Sequence, residues 1–307
     1  MFAAWYASST LEHVVNLNQF DTSNVTDMGD MFADLENLQE LDLSSFDVSK
    51  VKSFVNFLYG ACRITTLDVS NFNTQSATDM HGMFGSMNKL EALNVSSFDT
   101  SHVTDLSGMF YECRTLKELD LTSFDTSNVT NFTNLFMSCR SITTIKLNPE
   151  KFNTEKVTHF DNMFLWCFKL KSVNVSHFRT ENVVATTNMF YGTQIEQLDL
   201  SEWRTPNLIA MNSMFRDCTN LRYLDVSNFD TSKVKDMSNT FEQCVKLPEI
   251  KGLENFNTSN VQYMTSMFSA MRAMTELDIS SFDTSKVIKM GDSNAISPTT
   301  RYGQTGM

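Results

Sequence analysis

Apolar and polar positions along this chain keep returning in one order. In the stretch from Leu116 to Phe136, Leu116, Leu119, Leu121 and Phe124 are spaced as Leu-x-x-Leu-x-Leu-x-x-Phe. A polar turn, Asp125-Thr126-Ser127-Asn128, follows, and then Val129, Phe132, Leu135 and Phe136. The first aromatic recurs at Phe20, Phe46, Phe72, Phe98, Phe124, Phe152, Phe178, Phe229, Phe256 and Phe282, with Trp203 in the remaining place, at a spacing of about 26 residues. A second column holds Phe2, Phe32, Phe84, Phe110, Phe136, Phe164, Phe190, Phe215, Phe241 and Phe268, completed by Leu58. One such unit cannot bury its apolar face alone and must stack on its neighbours, so the pattern predicts a solenoid.

Leucines alternating with polar residues predict a short strand. Apolar residues at i, i+3, i+6 and i+7 after the turn predict one face of a short helix. The expected architecture is therefore an α/β repeat solenoid, right-handed and leucine-rich-repeat-like, with about eleven coils of short parallel strand, Asp-Thr-Ser turn and short helix. Residues 1–19 are read as an N-terminal partial repeat and cap, with Trp5 and Tyr6 folding over the first coil. Residues 20–290 form the solenoid, and 291–307 a polar tail containing Pro298 that serves as cap or linker. An uncapped end predicts head-to-tail self-association through open strand edges.

Three regular columns carry polar or small residues. Thr occupies the second position of the turn in all but one repeat, Val48 being the exception. A capping ladder is the plain reading and an ice- or water-ordering Thr array the functional one. Asp42, Asp68, Asp120, Asp199, Asp225 and Asp278 share one strand position and should line the concave face. Neighbouring carboxylates there could recruit calcium or a basic partner, or simply be a solvated strand face. Cys113, Cys139, Cys167, Cys218 and Cys244 exchange in other repeats with Leu, Met, Ala and Thr, which marks a buried apolar column, with Cys62 one place later. Stacked coils bring such Cα atoms within disulfide range, so a pair such as Cys113 with Cys139 is open. No metal site is expected, because no Cys-x-x-Cys or clustered His spacing occurs.

The Phe-Asp-Thr-Ser-x-Val phrase, as in Leu119 to Phe136 and Leu224 to Phe241, resembles the 26-residue repeat of BspA-like leucine-rich surface proteins and lipoproteins, over roughly residues 11–290. That resemblance implies an exported, cell-surface, non-catalytic scaffold for adhesion or host contact, and hence an extracellular location. No lipobox, sortase motif or anchor is present in this sequence, and its opening on the Met-Phe phase of the repeat is expected of a fragment of a longer chain.

Composition narrows the partners. The net charge of -12 disfavours a nucleic-acid backbone, which is bound through clustered Lys and Arg. No apolar run reaches the roughly 18 residues of a membrane span. Without a nucleophile elbow or a phosphate loop, no enzyme and no cofactor are expected. The repeat breaks most between residues 140 and 206: Asn148-Pro149-Glu150-Lys151 lengthens one turn, Lys146 replaces the strand Asp, and Arg179 and Arg204 replace the turn Asp. Trp166 falls in the same stretch. Arg and aromatic residues are favoured at binding hot spots. Lys146, Lys151, Trp166, Arg179 and Arg204 are accordingly the candidate contacts for a protein or glycan at a cell surface, of acidic character. A structural protein that assembles through its ends is the alternative.

Overall fold

The computed structural model describes residues 9–291. The expected N-terminal cap with Trp5 and Tyr6, the Phe2 position and all of the polar tail beyond Gly291 lie outside the described residues.

Successive repeats stack in parallel. The expected strand appears as β1 (Glu118–Leu121) paired with β2 (Thr144–Leu147), and as β3 (Gln197–Asp199) paired with β4 (Tyr223–Asp225). Leu119 faces Ile145 and Leu198 faces Leu224 in register, so the buried side chain of one coil sits on that of the next. In other coils this side is joined only by single parallel bridges such as Thr66 to Ala92. The unbroken ladder runs elsewhere on the coil, through Asp27, Ser53, Asp79, Asp105, Asn131, His159, Ala185, Ala210, Asp236, Tyr263 and Lys289.

The expected helix is absent: among the described residues there is no α-helix, only 3₁₀ turns at Leu17–Gln19 and Leu253–Asn255. In its place each coil carries a ribbon of consecutive tight turns. Alternate N–H groups behave differently along it. In one coil those of Phe132, Asn134, Phe136 and Ser138 donate to His159, Asp161, Met163 and Leu165 of the next, while those of Leu135, Met137 and Cys139 close turns onto residues three back. Two positions per ribbon, four apart, are left-handed, as at Asn134 (φ 60°) and Ser138 (φ 61°). A left-handed residue every four positions breaks a right-handed helix, and N–H groups given to the next coil are unavailable for i→i−4 bonding. Asn, Gly, Asp and Ser dominate the first of these columns (Asp30, Asn56, Gly82, Gly108, Asn134, Asn162), as the conformation requires.

Both aromatic columns pack inside. Phe46 to Phe256 of the first, Trp203 included, are at most 4% exposed. In the second, Phe110, Phe136 and Phe164 stack with centroids 5.9 and 5.5 Å apart. Each buried ring stabilises by roughly 1.5–3 kcal/mol through area alone, and ring stacking adds to it. Trp203 belongs to this core: its indole N–H donates to the Val175 carbonyl at 3.0 Å.

The Thr column is also internal. Thr74, Thr100, Thr126, Thr154, Thr180, Thr205, Thr231 and Thr258 are at most 1% exposed. Thr180 Oγ1 donates to the Arg204 carbonyl at 2.8 Å and accepts the Arg204 N–H at 2.9 Å, and Thr205 does the same with Asp230 at 3.1 and 2.9 Å. Each hydroxyl is thus a staple between coils. This excludes the ice-ordering reading, which needs an exposed hydroxyl array.

The cysteines are free thiols, and the five-membered column is buried. Each buried thiol donates to the carbonyl of the second-column aromatic one coil earlier, as Cys139 to Phe110 at 3.1 Å and Cys244 to Phe215 at 3.1 Å. Burial pushes the Cys113 and Cys218 thiols up to about 12. The open question of a Cys113–Cys139 disulfide resolves as two separate S–H donors.

Candidate functional site

The strand Asp column is exposed, apart from the half-buried Asp225, and its carboxylates have a local task. Asp42 accepts the Ser44 N–H at 2.9 Å, Asp68 that of Ser70 at 2.9 Å, Asp120 that of Thr122 at 3.0 Å, and Asp199 that of Ser201 at 3.1 Å. Asp225 and Asp278 do the same with Ser227 and Ser280. These are Asx turns that close the corner after the strand. Bonds from the following Ser or Thr hold the Asp42, Asp68, Asp120 and Asp278 carboxyls below the usual carboxylate range. One oxygen of each carboxylate is therefore engaged by the corner. Among the described residues no three His, Cys, Asp or Glu side chains gather as a metal ion would need.

The five candidate contacts occupy three places around the coil. Lys146 sits on the strand side, exposed, with its ammonium 3.6 Å from Asp120 of the preceding coil. Arg179 and Arg204 are exposed at the next corner, on consecutive rungs of the Thr-stapled column: the Arg179 N–H is held by Thr154 and that of Arg204 by Thr180. Their neighbours above and below are Asn153 and Asp230, so two arginines stand on adjacent rungs of a column otherwise neutral or acidic. Lys151, exposed, adjoins the same column, its carbonyl accepting the Thr126 N–H at 3.1 Å. The structure thus brings Lys151, Arg179 and Arg204 into one region and sets Lys146 and Trp166 apart.

Trp166 lies in the turn ribbon, in the second left-handed column, at φ 62°. A bulky residue in this conformation is an outlier. Its ring meets Tyr191 edge-on at 6.3 Å, and both Trp166 and Phe168 lie over Gly192, where an added Cβ would come within 3.3 and 3.2 Å of them. Arg140 stands over Phe168 at 6.0 Å and Arg216 over Tyr191 at 5.3 Å. Arg216 is 3.2 Å from Glu242, although poorly aligned for a hydrogen bond. Burial raises the neighbouring Asp217 carboxyl against the pull of Arg216. Phe168, Tyr191 and Arg216 were not among the sequence candidates. Only Phe168, placed just after the Cys column where no other coil carries an aromatic residue, stands out in the chain.

These features define an extended parallel repeat solenoid that displays rows of side chains. Residues 1–92, 60–164, 120–229 and 209–295 each match the family described as Mycoplasma protein of unknown function, DUF285, and the chain belongs to that family. No curated protein matches it. Among solved structures, it is similar to a leucine-rich repeat protein from Bacteroides ovatus at 14% identity, covering 83% of this chain and 73% of that one, with a TM-score of 0.30. A chain of the Toll–Spätzle complex of Drosophila gives 15% identity, 82% and 34% coverage, and a TM-score of 0.36. An internalin from Listeria monocytogenes gives 13%, 84% and 81%, and 0.24.

Proposed function

We propose that the chain is a non-catalytic binding module of a bacterial cell surface, a right-handed solenoid whose exposed corners recognise a protein or glycan of acidic character. The observation that carries this reading is the pair Arg179 and Arg204. Their backbones are stapled by Thr154 and Thr180 as Asp99 and Asp230 are by Thr74 and Thr205, yet their side chains abandon the Asx turn made at that corner by Asp99, Asp125 and Asp230. They give up a local structural bond and present adjacent positive charge beside Lys151. Surface location follows from the resemblance to BspA-like proteins. The test is binding of the chain to immobilised extracellular-matrix proteins and bacterial and host glycans at physiological salt, beside a Lys146→Glu, Arg179→Glu, Arg204→Glu variant. Loss of at least tenfold in affinity supports the reading, and equal binding by both proteins contradicts it.

A second reading, assembly through the ends, is favoured by one feature. At the last described coil Ile279, Ile288 and Met290 are 46, 71 and 54% exposed, beside a cavity of about 630 Å³ lined by Phe268 and Phe282. Light scattering that grows with concentration, and disappears in Ile288→Lys, would favour that reading over surface recognition.

A further inference from the structure

Along the turn ribbon the first left-handed column forms a ladder of amides. Asn188 donates to Asn162 at 2.9 Å, and Asn162 to Asn134 at 2.9 Å. Two rungs earlier the ladder stops, because Gly82 and Gly108 occupy the positions between Asn56 and Asn134. The Asn56 amide oxygen leans across the Gly82 rung, where it would collide with an added Cβ, so at ~4.8 Å per coil about two spacings, roughly 10 Å, separate that amide from Asn134. A groove of about 420 Å³ fills the break, within the ~300–1,000 Å³ of small-ligand sites.

Its walls are specific. Tyr59 leans over Gly85, where a Cβ would meet its ring at 2.6 Å, and so reaches Tyr111 two coils away; the rings stack at 6.4 Å with planes 5° apart. His81 stands on the rim, with Nδ1 at 2.6 Å from Ser107 Oγ. Among the described residues the Asn134 amide nitrogen has no hydrogen-bond partner, and neither does the Asn56 side chain, which reaches the groove over Gly82. Every charged type is missing from the lining except the rim imidazole, in a chain that is 20% Asp, Glu, Lys and Arg.

We infer that this groove is a binding site for a neutral saccharide. The apolar faces of sugar rings fit against tyrosine, and a hydroxyl can take the place of the absent amide at Gly108, accepting from Asn134 and bonding to the Asn56 amide over Gly82 and to His81. The lining offers a charged ligand no counter-charge, and the Asp79 and Asp105 carboxylates behind it are engaged by the His81 N–H and the Ser107 hydroxyl. A peptide adding as a strand finds no free edge, since the Gly82 and Gly108 N–H groups already donate to Ser107 and Thr133 of their next coils. The inference rests on the reading of the solenoid as a binding module, but on residues separate from the Arg179 and Arg204 corner.

Gly108→Asn is the informative variant. Its Cβ would lie 3.8 Å from the nearest atom outside its chain neighbours, and Asn tolerates the left-handed backbone at φ 61°. The substitution therefore continues the amide ladder and fills the groove without disturbing the fold. Neutral oligosaccharides of glucose, galactose, mannose and N-acetylglucosamine are titrated calorimetrically into the wild-type chain, Gly108→Asn, Tyr59→Ala and the triple charge-reversed variant. The expected result is saturable, salt-independent binding of at least one sugar, weakened at least tenfold by Gly108→Asn and by Tyr59→Ala and unchanged by charge reversal. Three results overturn the groove: no saturable binding to wild type up to ~10 mM sugar, a range that reaches the weakest useful affinities; binding unaffected by Gly108→Asn; or binding lost only on charge reversal. The last would leave the basic corner standing as the recognition site, whereas loss in Gly108→Asn alone would leave that corner untested by sugar and the groove established.

Discussion

Asp99 and Thr100 are sequence neighbours, each a member of a regular polar column, and they do opposite things. Asp99 is turned outward and bonds two residues ahead, to the Ser101 N–H at 3.0 Å. Thr100 is 1% exposed and bonds a coil away, to the Asp125 carbonyl at 2.9 Å. The Asp shapes a corner within one repeat, while the Thr joins two repeats. Regularity at a polar position therefore has two physical meanings, local geometry and coil-to-coil bonding. Burial is what separates them, because a buried hydroxyl without a partner is costly and a solvated carboxylate is not.

The comparison predicts unequal costs. Thr205→Val keeps the shape of a fully buried side chain but strips the partners from the Asp230 N–H and carbonyl. A loss of about 1–3 kcal/mol is expected in urea unfolding. Asp199→Ala, which removes only a solvent-exposed corner bond, should cost less; equal losses would erase the distinction. The one gap in the Thr column offers the reverse experiment. Val48 is 1% exposed and supplies no hydroxyl to the next coil, where Asn73 occupies the rung. Val48→Thr is expected to gain roughly 0.5–1.5 kcal/mol, the worth of one net hydrogen bond.

Acid should act on the two Asx-turn columns, strand Asp and turn Asp, and not on the Thr column. The Asp42, Asp68, Asp99 and Asp120 carboxyls are lowered in the folded chain, by bonds from Ser44, Ser70, Ser101 and Thr122 respectively. Unfolded Asp titrates near ~3.9. Depressed folded values mean that the unfolded state binds more protons, so their contribution is present above ~3.9 and is lost as pH falls through the folded values. The Thr staples do not titrate. Thermal unfolding followed from neutral pH downward should thus weaken below about pH 4, and the increment lost in Thr205→Val should stay the same across that range.

Much of this was legible in the chain. The Cys column was marked as interior by exchange with Leu, Met and Ala and the aromatic columns by their recurrence, and they are interior except toward the ends, where Phe20 is 39% exposed and Phe268 and Phe282 are only partly buried. The helix was misread for a definite reason: Val129, Phe132, Leu135 and Phe136 have helical spacing, but a ribbon of turns also returns to the core every three or four residues. The competing signal was the Asn, Gly, Asp or Ser recurring just before the last two apolar residues, at Asn56, Gly82, Gly108 and Asn134. Of the candidate site, the adjacency of Arg179 and Arg204 followed from the repeat register alone. The separation of Lys146 and Trp166 did not, because it depends on where strand and ribbon sit around the coil. The saccharide groove left almost no trace in sequence, being made by side chains that Gly82, Gly85 and Gly108 do not have.

The central claim is that coils are held to one another by ladders and hydroxyl staples, with turn ribbons where helices were expected. Far-ultraviolet circular dichroism of the purified chain tests it directly. A spectrum without the paired minima of α-helix, dominated by strand and turn, is the predicted result; helical minima amounting to one short helix per repeat would contradict it.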